Sequence, residues 1–217
     1  MKRIYSTLYL FDNVFFPETI IPLSVSDKTS MQIIRDAFKK NEPIILCHPN
    51  QRHLKIGTLA KIVLIDSNNE SKVSAIVQGI GRVQLGMLIQ EFPYHRYETK
   101  EHGDLEGEPP LNHDEIESLN ELFESWLARN IESKYERVKF LKEITSAPKL
   151  VSCICLLMIK DLELKDILLE STSLNDRVRI LNALFPGEKP ELEDPTIAEA
   201  IKNFERMTLN KDIALAV

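Results

Sequence analysis

The sequence has few cysteines and no long apolar run. Only Cys47, Cys153 and Cys155 occur among its 217 residues, and this odd, sparse count provides no disulfide framework and fits a reducing compartment. No stretch reaches the roughly 18 apolar residues of a membrane span. The N-terminus begins with basic residues, but Asp12 interrupts its apolar part and no small-residue cleavage site follows, so no signal peptide is predicted. We therefore expect a soluble, cytoplasmic protein with no membrane partner.

A basic excess is also missing. The chain has 27 basic and 33 acidic residues, a net charge of −6, which argues against a general binder of nucleic acid or membrane surfaces. The charge is uneven, because residues 98–124 hold ten acids and one base, whereas residues 129–149 hold six bases and three acids. Two interpretations stay open. The two faces attract each other in a helical bundle, or they form a dipolar surface that steers a charged partner.

The motifs of common enzymes are absent as well. No H-E-x-x-H, C-x-x-C, G-x-G-x-x-G or G-x-S-x-G pattern occurs. Gly81 and Gly86 have the spacing of a phosphate-binding loop, but Met87 and Leu88 replace its lysine and serine or threonine. The sequence therefore predicts no catalytic residues, no metal, no cofactor and no enzymatic activity.

The first half of the chain reads as short strands around one helix. Gly79 and Gly81 lie between two apolar runs, where glycine favours a bulge or a corner that closes a barrel. The polar residues 66–71 predict a hairpin. Residues 1–105 are therefore interpreted as a mostly antiparallel β-domain. Its predicted elements are strands at 8–11, 19–23, 43–47, 56–65, 72–79, 82–89 and 94–99, and a helix at 27–40.

The second half has helical periodicity. A linker or exposed loop rich in glycine, proline and acids is predicted at residues 100–112. Apolar stripes then predict a helical bundle subdomain over residues 106–186, with Ser173 as the N-cap of its last helix. Residues 187–217 read as an acidic loop and a tail that could add one helix. The predicted fold class is α+β.

Several short motifs, in order, resemble one known family. The segment FDNVFFP at 11–17, the tripeptide Ile-Pro-Leu at 21–23, the strand IGTLAKI at 56–62 and the corner Gln78-Gly79 with Arg82 resemble the N-terminal substrate-binding domain of Lon proteases. The closing helices, with Asn175-Asp176-Arg177-Val178, fit the same pattern. The resemblance covers about residues 5–186. It implies a PUA-like β pseudo-barrel with one helix, followed by a helical bundle, and a role in recognising polypeptides.

The resemblance leaves out the other modules of that family. Lon proteases continue into an ATPase and a protease module, and this sequence ends at Val217. We therefore expect a free-standing domain, to which the activity of whole Lon proteases does not carry over.

Two functional hypotheses follow from the resemblance. The first is a non-catalytic polypeptide-binding module that recognises unfolded or degron-like segments or a protein partner, such as a Lon-type protease or another regulator. The alternative is a small-ligand or RNA-binding PUA-like domain, although the acidic balance makes nucleic acid an unfavourable partner. The oligomeric state stays open.

One candidate binding residue comes from the segment 11–23, in which two adjacent phenylalanines directly precede Pro17. Phe15 and Phe16 are adjacent, so in an extended chain their rings point to opposite faces. We expect Phe15 to face the barrel core and Phe16 to face outward, towards solvent or the helical part. Phe16 is therefore a peptide-binding candidate, together with Tyr94 and Tyr97 of the last predicted strand.

Overall fold

A computed structural model describes residues 3–49, 55–69 and 71–185, which contain six strands and six helices. The α+β class and the order of barrel then helices are confirmed. The tail predicted at 187–217 lies outside the described residues. The elements are β1 (Arg3–Tyr9), β2 (Ile20–Val25), α1 (Lys28–Lys40), β3 (Ile44–Cys47), β4 (Ile56–Asn69), β5 (Lys72–Gln90), β6 (Arg96–Glu101), α2 (His113–Asn130), α3 (Lys134–Glu143), α4 (Ala147–Leu157), α5 (Leu162–Glu170) and α6 (Leu174–Leu184).

Five of the strands close into a barrel. The sheet order is β2-β5-β4-β3-β1-β6, and β6 pairs with β5 as well, which joins the two ends of the ring. The β1–β3 pair is parallel and the other pairs are antiparallel. β2 lies outside the ring as an edge strand on β5. This explains how Pro22, which has no N–H, fits into a strand.

The longest strand, β5, replaces two predicted ones. The strands predicted at 72–79 and 82–89 form one element of 19 residues, and the hairpin predicted before them is confirmed by the pairing of Asn69 with Lys72. Leu59 pairs with Gly81 and Ala60 with Gly79, so one residue of β5 between the glycines has no opposite partner. The predicted bulge is therefore present, and it bends the strand without ending it.

The barrel interior is small and contains no helical residue. Ile45, Cys47, Val83, Leu85 and Tyr97 form a buried cluster to which β3, β5 and β6 contribute, and Tyr5, Tyr9 and Leu59 of β1 and β4 pack against it. A Cβ atom on Gly57 would lie 2.3 Å from the Ile45 side chain, so glycine is required there. The opposite faces of the strands contribute to a larger core that includes the helices.

The segment between β6 and α2 joins the barrel to the helices through buried charges. Arg82 of β5 and Arg177 of α6 both donate to Oδ1 of Asp104, and Arg82 also donates to the carbonyl groups of Leu169, at 3.0 Å, and Ser171. The two arginines are 6% and 2% exposed. We call Arg82, Asp104 and Arg177 the arginine clasp. The segment predicted as a linker is therefore tied to the bundle at this point.

Further hydrogen bonds tie the same segment to the α5–α6 connection. The His102 ring donates to the carbonyl of Glu170 at 2.7 Å, and the Leu105 amide donates to Thr172 at 3.0 Å. At the start of α6, the Ser173 hydroxyl accepts from the amide of Asp176 at 3.0 Å, which confirms the predicted N-cap. Within the described ranges, no helix combines the length and apolar character needed to cross a membrane.

The three thiols should be unreactive in the folded protein. Burial raises the pKa of Cys47, Cys153 and Cys155 to about 12, so at pH 8 each thiol stays protonated, and the thiolate is the reactive form. We expect a small aromatic disulfide reagent to modify none of them before the protein unfolds, and all three in urea. Native-state modification at the rate of free cysteine would contradict this burial.

Candidate functional site

The three residues predicted to bind peptide are all buried. Phe16 is 1% exposed, Tyr94 8% and Tyr97 7%. Phe15 is buried as expected, at 2%. Phe16 does not face solvent, and its place in a core shared with helical residues agrees with the alternative that it faces the helical part. None of the three candidates offers an appreciable surface to a ligand.

Both rings are buried because their segment is irregular and covered from two sides. Residues 13–16 belong to no strand, so the alternation of an extended chain does not apply. On one side, the Thr58 hydroxyl of β4 donates to the carbonyl of Phe15. On the other side, Lys165 of α5 donates to Asn13 Oδ1 at 2.8 Å. The segment thus lies between the barrel and the helices.

Tyr94 and Tyr97 hold the chain around the start of β6. The Tyr94 hydroxyl donates to Asp36 Oδ2 of α1 at 3.0 Å, and burial together with Asp36 raises the pKa of Tyr94. The Tyr97 hydroxyl lies 3.1 Å from that of Tyr9, which lies 3.2 Å from Nδ1 of His95. The two tyrosines therefore position the chain between β5 and β6.

That part of the chain carries large apolar side chains in solvent. Met87, Leu88 and Ile89 near the end of β5 are 65%, 39% and 48% exposed, and Phe92 in the turn that follows is 87% exposed. We call Met87, Leu88, Ile89 and Phe92 the apolar ribbon. Three consecutive exposed apolar residues are unusual in a strand, because one face of a barrel strand is normally buried. Contiguous exposed apolar surface of this kind marks interaction sites.

Two irregularities in the pairing of β5 with β6 produce this exposure. Leu85 pairs with Thr99 and Leu88 with Tyr97, so three residues on β5 span two on β6. A second shift follows directly, since Gln90 pairs with the next residue of β6. Each shift changes the face to which the following side chain points. Bulges of this type occur preferentially near functional sites, where they redirect side chains.

A glycine allows the two strands to stay close at this point. A Cβ atom on Gly86 would lie 3.2 Å from the carbonyl oxygen of Glu98, closer than most real contacts. One sequence signal of the ribbon is the unbroken apolar run after Gly86. This run predicts a strand at 82–89, and Met87 and Leu88 exclude a phosphate-binding loop, but the run does not show whether its side chains are buried or exposed.

The edge of β2 is a weaker candidate for binding. β2 pairs only with β5 among the described strands, so an extended peptide could add to its other side. Pro22 lies in the middle of β2 and offers no N–H to a partner. Side-chain contacts with the apolar ribbon are therefore better supported than strand addition.

Two neighbouring helices carry charges of opposite sign. Among the described residues, Glu121 and Glu124 of α2 form no ion pair with Lys134, Lys139 or Lys142 of α3. Both interpretations of the uneven charge stay open. The surface is acidic along α2 and basic along α3.

Comparisons with known proteins agree on one family. The family described as ATP-dependent protease La (LON) substrate-binding domain matches residues 4–185. Lon protease 2 of Myxococcus xanthus is 24% identical over 207 residues, which cover 89% of this chain and 24% of that protein. Lon protease of Buchnera aphidicola subsp. Baizongia pistaciae is 25% identical, over 94% of this chain and 27% of that protein. The chain thus spans about a quarter of the length of these relatives.

Solved structures show the same fold. The N-terminal domain of Mycobacterium avium complex Lon protease superimposes with a TM-score of 0.67 at 20% identity, covering 86% of this chain and all of that one. The Lon N-terminal domain protein from Xanthomonas campestris gives a TM-score of 0.61 at 15% identity, covering 83% of this chain and 98% of that one.

Proposed function

Because the chain belongs to the family of the Lon protease substrate-binding domain, we propose that it is a non-catalytic module that binds unfolded or degron-like segments of other polypeptides. The observation that carries the proposal is the apolar ribbon, with Phe92 87% exposed. A Lon-type protease is the candidate partner to which such a module would present its substrates. The sparse cysteines favour the cytoplasm as the place where this happens.

The expected affinity is modest. Burying one large apolar side chain contributes about 1.5–3 kcal/mol, and the ribbon has four. Association itself costs roughly 4–15 kcal/mol, and an unfolded segment loses further entropy when it becomes ordered. The largest surplus these figures allow is about 8 kcal/mol, so we expect a dissociation constant of about 1 μM or weaker. Weak binding of this kind suits a module that must release what it recognises.

The ribbon can be tested with matched substitutions on one strand. We expect Ile89→Ser to weaken binding of a fluorescent, permanently unfolded polypeptide about tenfold. The substitution removes most of the apolar surface that Ile89 would bury in the complex, and it places a hydroxyl group there. Ile80→Ser is the control, since Ile80 lies on the same strand and is 50% exposed against 48% for Ile89. Fluorescence anisotropy measures the affinity of both variants.

An aromatic pair gives a second comparison. Phe92→Ser should weaken binding of the unfolded polypeptide at least as much as Ile89→Ser. Tyr135→Ser is the control, because Tyr135 on α3 is 77% exposed but lies outside the ribbon, and it should leave the affinity unchanged. The four side chains are between 48% and 87% exposed, so each variant should lose no more than about 1 kcal/mol of stability, which thermal unfolding verifies. Equal loss of binding in ribbon and control variants would remove the ribbon from the proposal.

The RNA-binding alternative has one supporting observation. Lys134, Tyr135 and Lys142 are exposed on α3. Basic side chains next to an aromatic ring can bind single-stranded RNA, because they contact its phosphates while the ring stacks on a nucleobase. The net charge of −6 opposes it. A gel shift at two ionic strengths separates the hypotheses, because phosphate contacts make RNA binding strongly salt-dependent. A mobility shift that is lost at high salt and in Lys142→Glu would favour RNA.

A further inference from the structure

We infer that the apolar ribbon, together with Phe11 at the same end of the barrel, selects polypeptide segments whose apolar residues are flanked by lysine or arginine. The inference rests on the proposed function, because it names the class of segment that the same surface would bind. It is carried by two exposed phenylalanines at one end of the barrel, each followed or preceded by an exposed carboxylate.

The first step is the position of a second exposed ring. Phe11, which follows β1, is 72% exposed. Ser6 of β1 pairs with Arg96 of β6, and Arg96 pairs with Gln90 of β5. The chain that continues β1 beyond Ser6 and the turn that follows Gln90 therefore leave the barrel at the same end, and Phe11 and Phe92 are both located there.

The interactions around Tyr9 and Leu10 fix this arrangement. The Tyr9 hydroxyl lies 3.2 Å from Nδ1 of His95, three residues after Phe92. The Leu10 amide donates to the carbonyl of Cys47 at 2.9 Å, which holds the end of β1 on the barrel. An extended segment of about six residues spans roughly 20 Å, and the peptides used below have that length.

The second step is the charge next to each ring. Asp12 follows Phe11 and Glu91 precedes Phe92, and both carboxylates are exposed. Neither takes part in an ion pair within the described residues. Arg96, at the start of β6, is half-buried, and its charge acts on the Tyr94 hydroxyl.

These positions determine what a bound segment should carry. A segment that places apolar side chains on Phe11 and Phe92 brings its neighbouring residues close to Asp12 and Glu91. Lysine or arginine at those neighbours would be attracted, and aspartate or glutamate would be repelled. Exposed pairs each contribute little, so two of them should change the affinity about threefold to tenfold at low salt.

The experiment compares two peptides on the full chain. Both contain the same apolar core of about six residues, and one is flanked by lysines and the other by glutamates. Anisotropy titrations are made with the wild-type chain, with Asp12→Asn/Glu91→Gln, and with the control Glu121→Gln/Glu124→Gln on α2, which removes the same charge elsewhere. Each titration is repeated at about 50 mM and about 300 mM salt.

The expected result is that the wild type and the control prefer the lysine-flanked peptide at low salt, whereas Asp12→Asn/Glu91→Gln binds both peptides equally. High salt should reduce the preference in the first two. Equal binding of the two peptides to the wild type overturns the inference and leaves the proposed function intact. A preference for the lysine-flanked peptide that survives in Asp12→Asn/Glu91→Gln has the same two consequences. Absence of binding for both peptides overturns the proposed function and the inference with it.

Discussion

Phe16→Ala is expected to lower the free energy of unfolding by about 3–5 kcal/mol, as much as Phe15→Ala does. Both rings are almost fully buried, at 1% and 2% exposure, in the core between the barrel and the helices. Removing either ring leaves a cavity that a segment fixed at both sides cannot fill by collapse. Urea denaturation, monitored by the fluorescence of Trp126, measures the effect.

Phe11→Ala is the matched control for this pair. It makes the same chemical change within five residues, but Phe11 is 72% exposed, so its stability should stay within about 0.5 kcal/mol of the wild type. If Phe16→Ala were as mild as Phe11→Ala, Phe16 would not be part of the core, and its original assignment as a binding residue would return.

Asp104→Ala is expected to destabilise the protein by about 2–4 kcal/mol, below the full cost of breaking a buried ion pair because Asp104 itself is partly in solvent. The substitution leaves Arg82 and Arg177 buried without the carboxylate that both contact. Burial and the charge of Arg177 already lower the pKa of Arg82 to about 10, which indicates that the charge of the Arg82 guanidinium is unfavourable in this place. Asp104 offsets that cost.

Asp176→Ala provides a comparison with the same residue change. Asp176 forms an exposed pair with Arg179 at 3.8 Å, and such pairs contribute about 0–1 kcal/mol. Asp176 lies in the first turn of α6, so a small further loss of up to about 1 kcal/mol is expected there. Urea denaturation of both variants, with hydrogen exchange at the α5–α6 connection, tests the clasp. Equal loss in the two variants would mean that the clasp contributes no more than a surface pair.

The sequence predicts those elements that depend only on a few neighbouring residues. The bulge beside Gly79 follows from glycine in an apolar strand, and the start of α6 follows from the capping side chain of Ser173. The hairpin before β5 was predicted from its polar turn. Each of these depends on a few neighbouring residues, and for that reason it can be recognised without knowledge of the rest of the fold.

The burial of Phe16 cannot be predicted from its neighbours in the sequence. Alternation between faces holds only for an extended strand, and the chain at Phe15 and Phe16 is irregular. Whether such a segment is covered depends on α5, whose Lys165 contacts Asn13 from about 150 positions further along the chain. Nothing in the sequence near Phe16 indicates that contact.

The ribbon and the clasp were missed for related reasons. The exposure of Met87 and Ile89 depends on how β5 pairs with β6, and an apolar run alone is equally typical of a buried strand. Arg82 and Arg177 were noted as family positions, but Asp104 stood among many acids of a presumed linker. Only the folded chain shows that this one carboxylate is shared.

The closed barrel would have a consequence for the proposed binding of unfolded chains. Open sheet edges can template the stacking of extended chains, so a binder of such chains risks being drawn into their aggregates. Within the described residues, ring closure leaves β2 as the edge strand, and Pro22 interrupts its row of donors. The fold would thus allow transient contacts through side chains, while it offers an extended, misfolded chain few free backbone groups with which to form a strand pair.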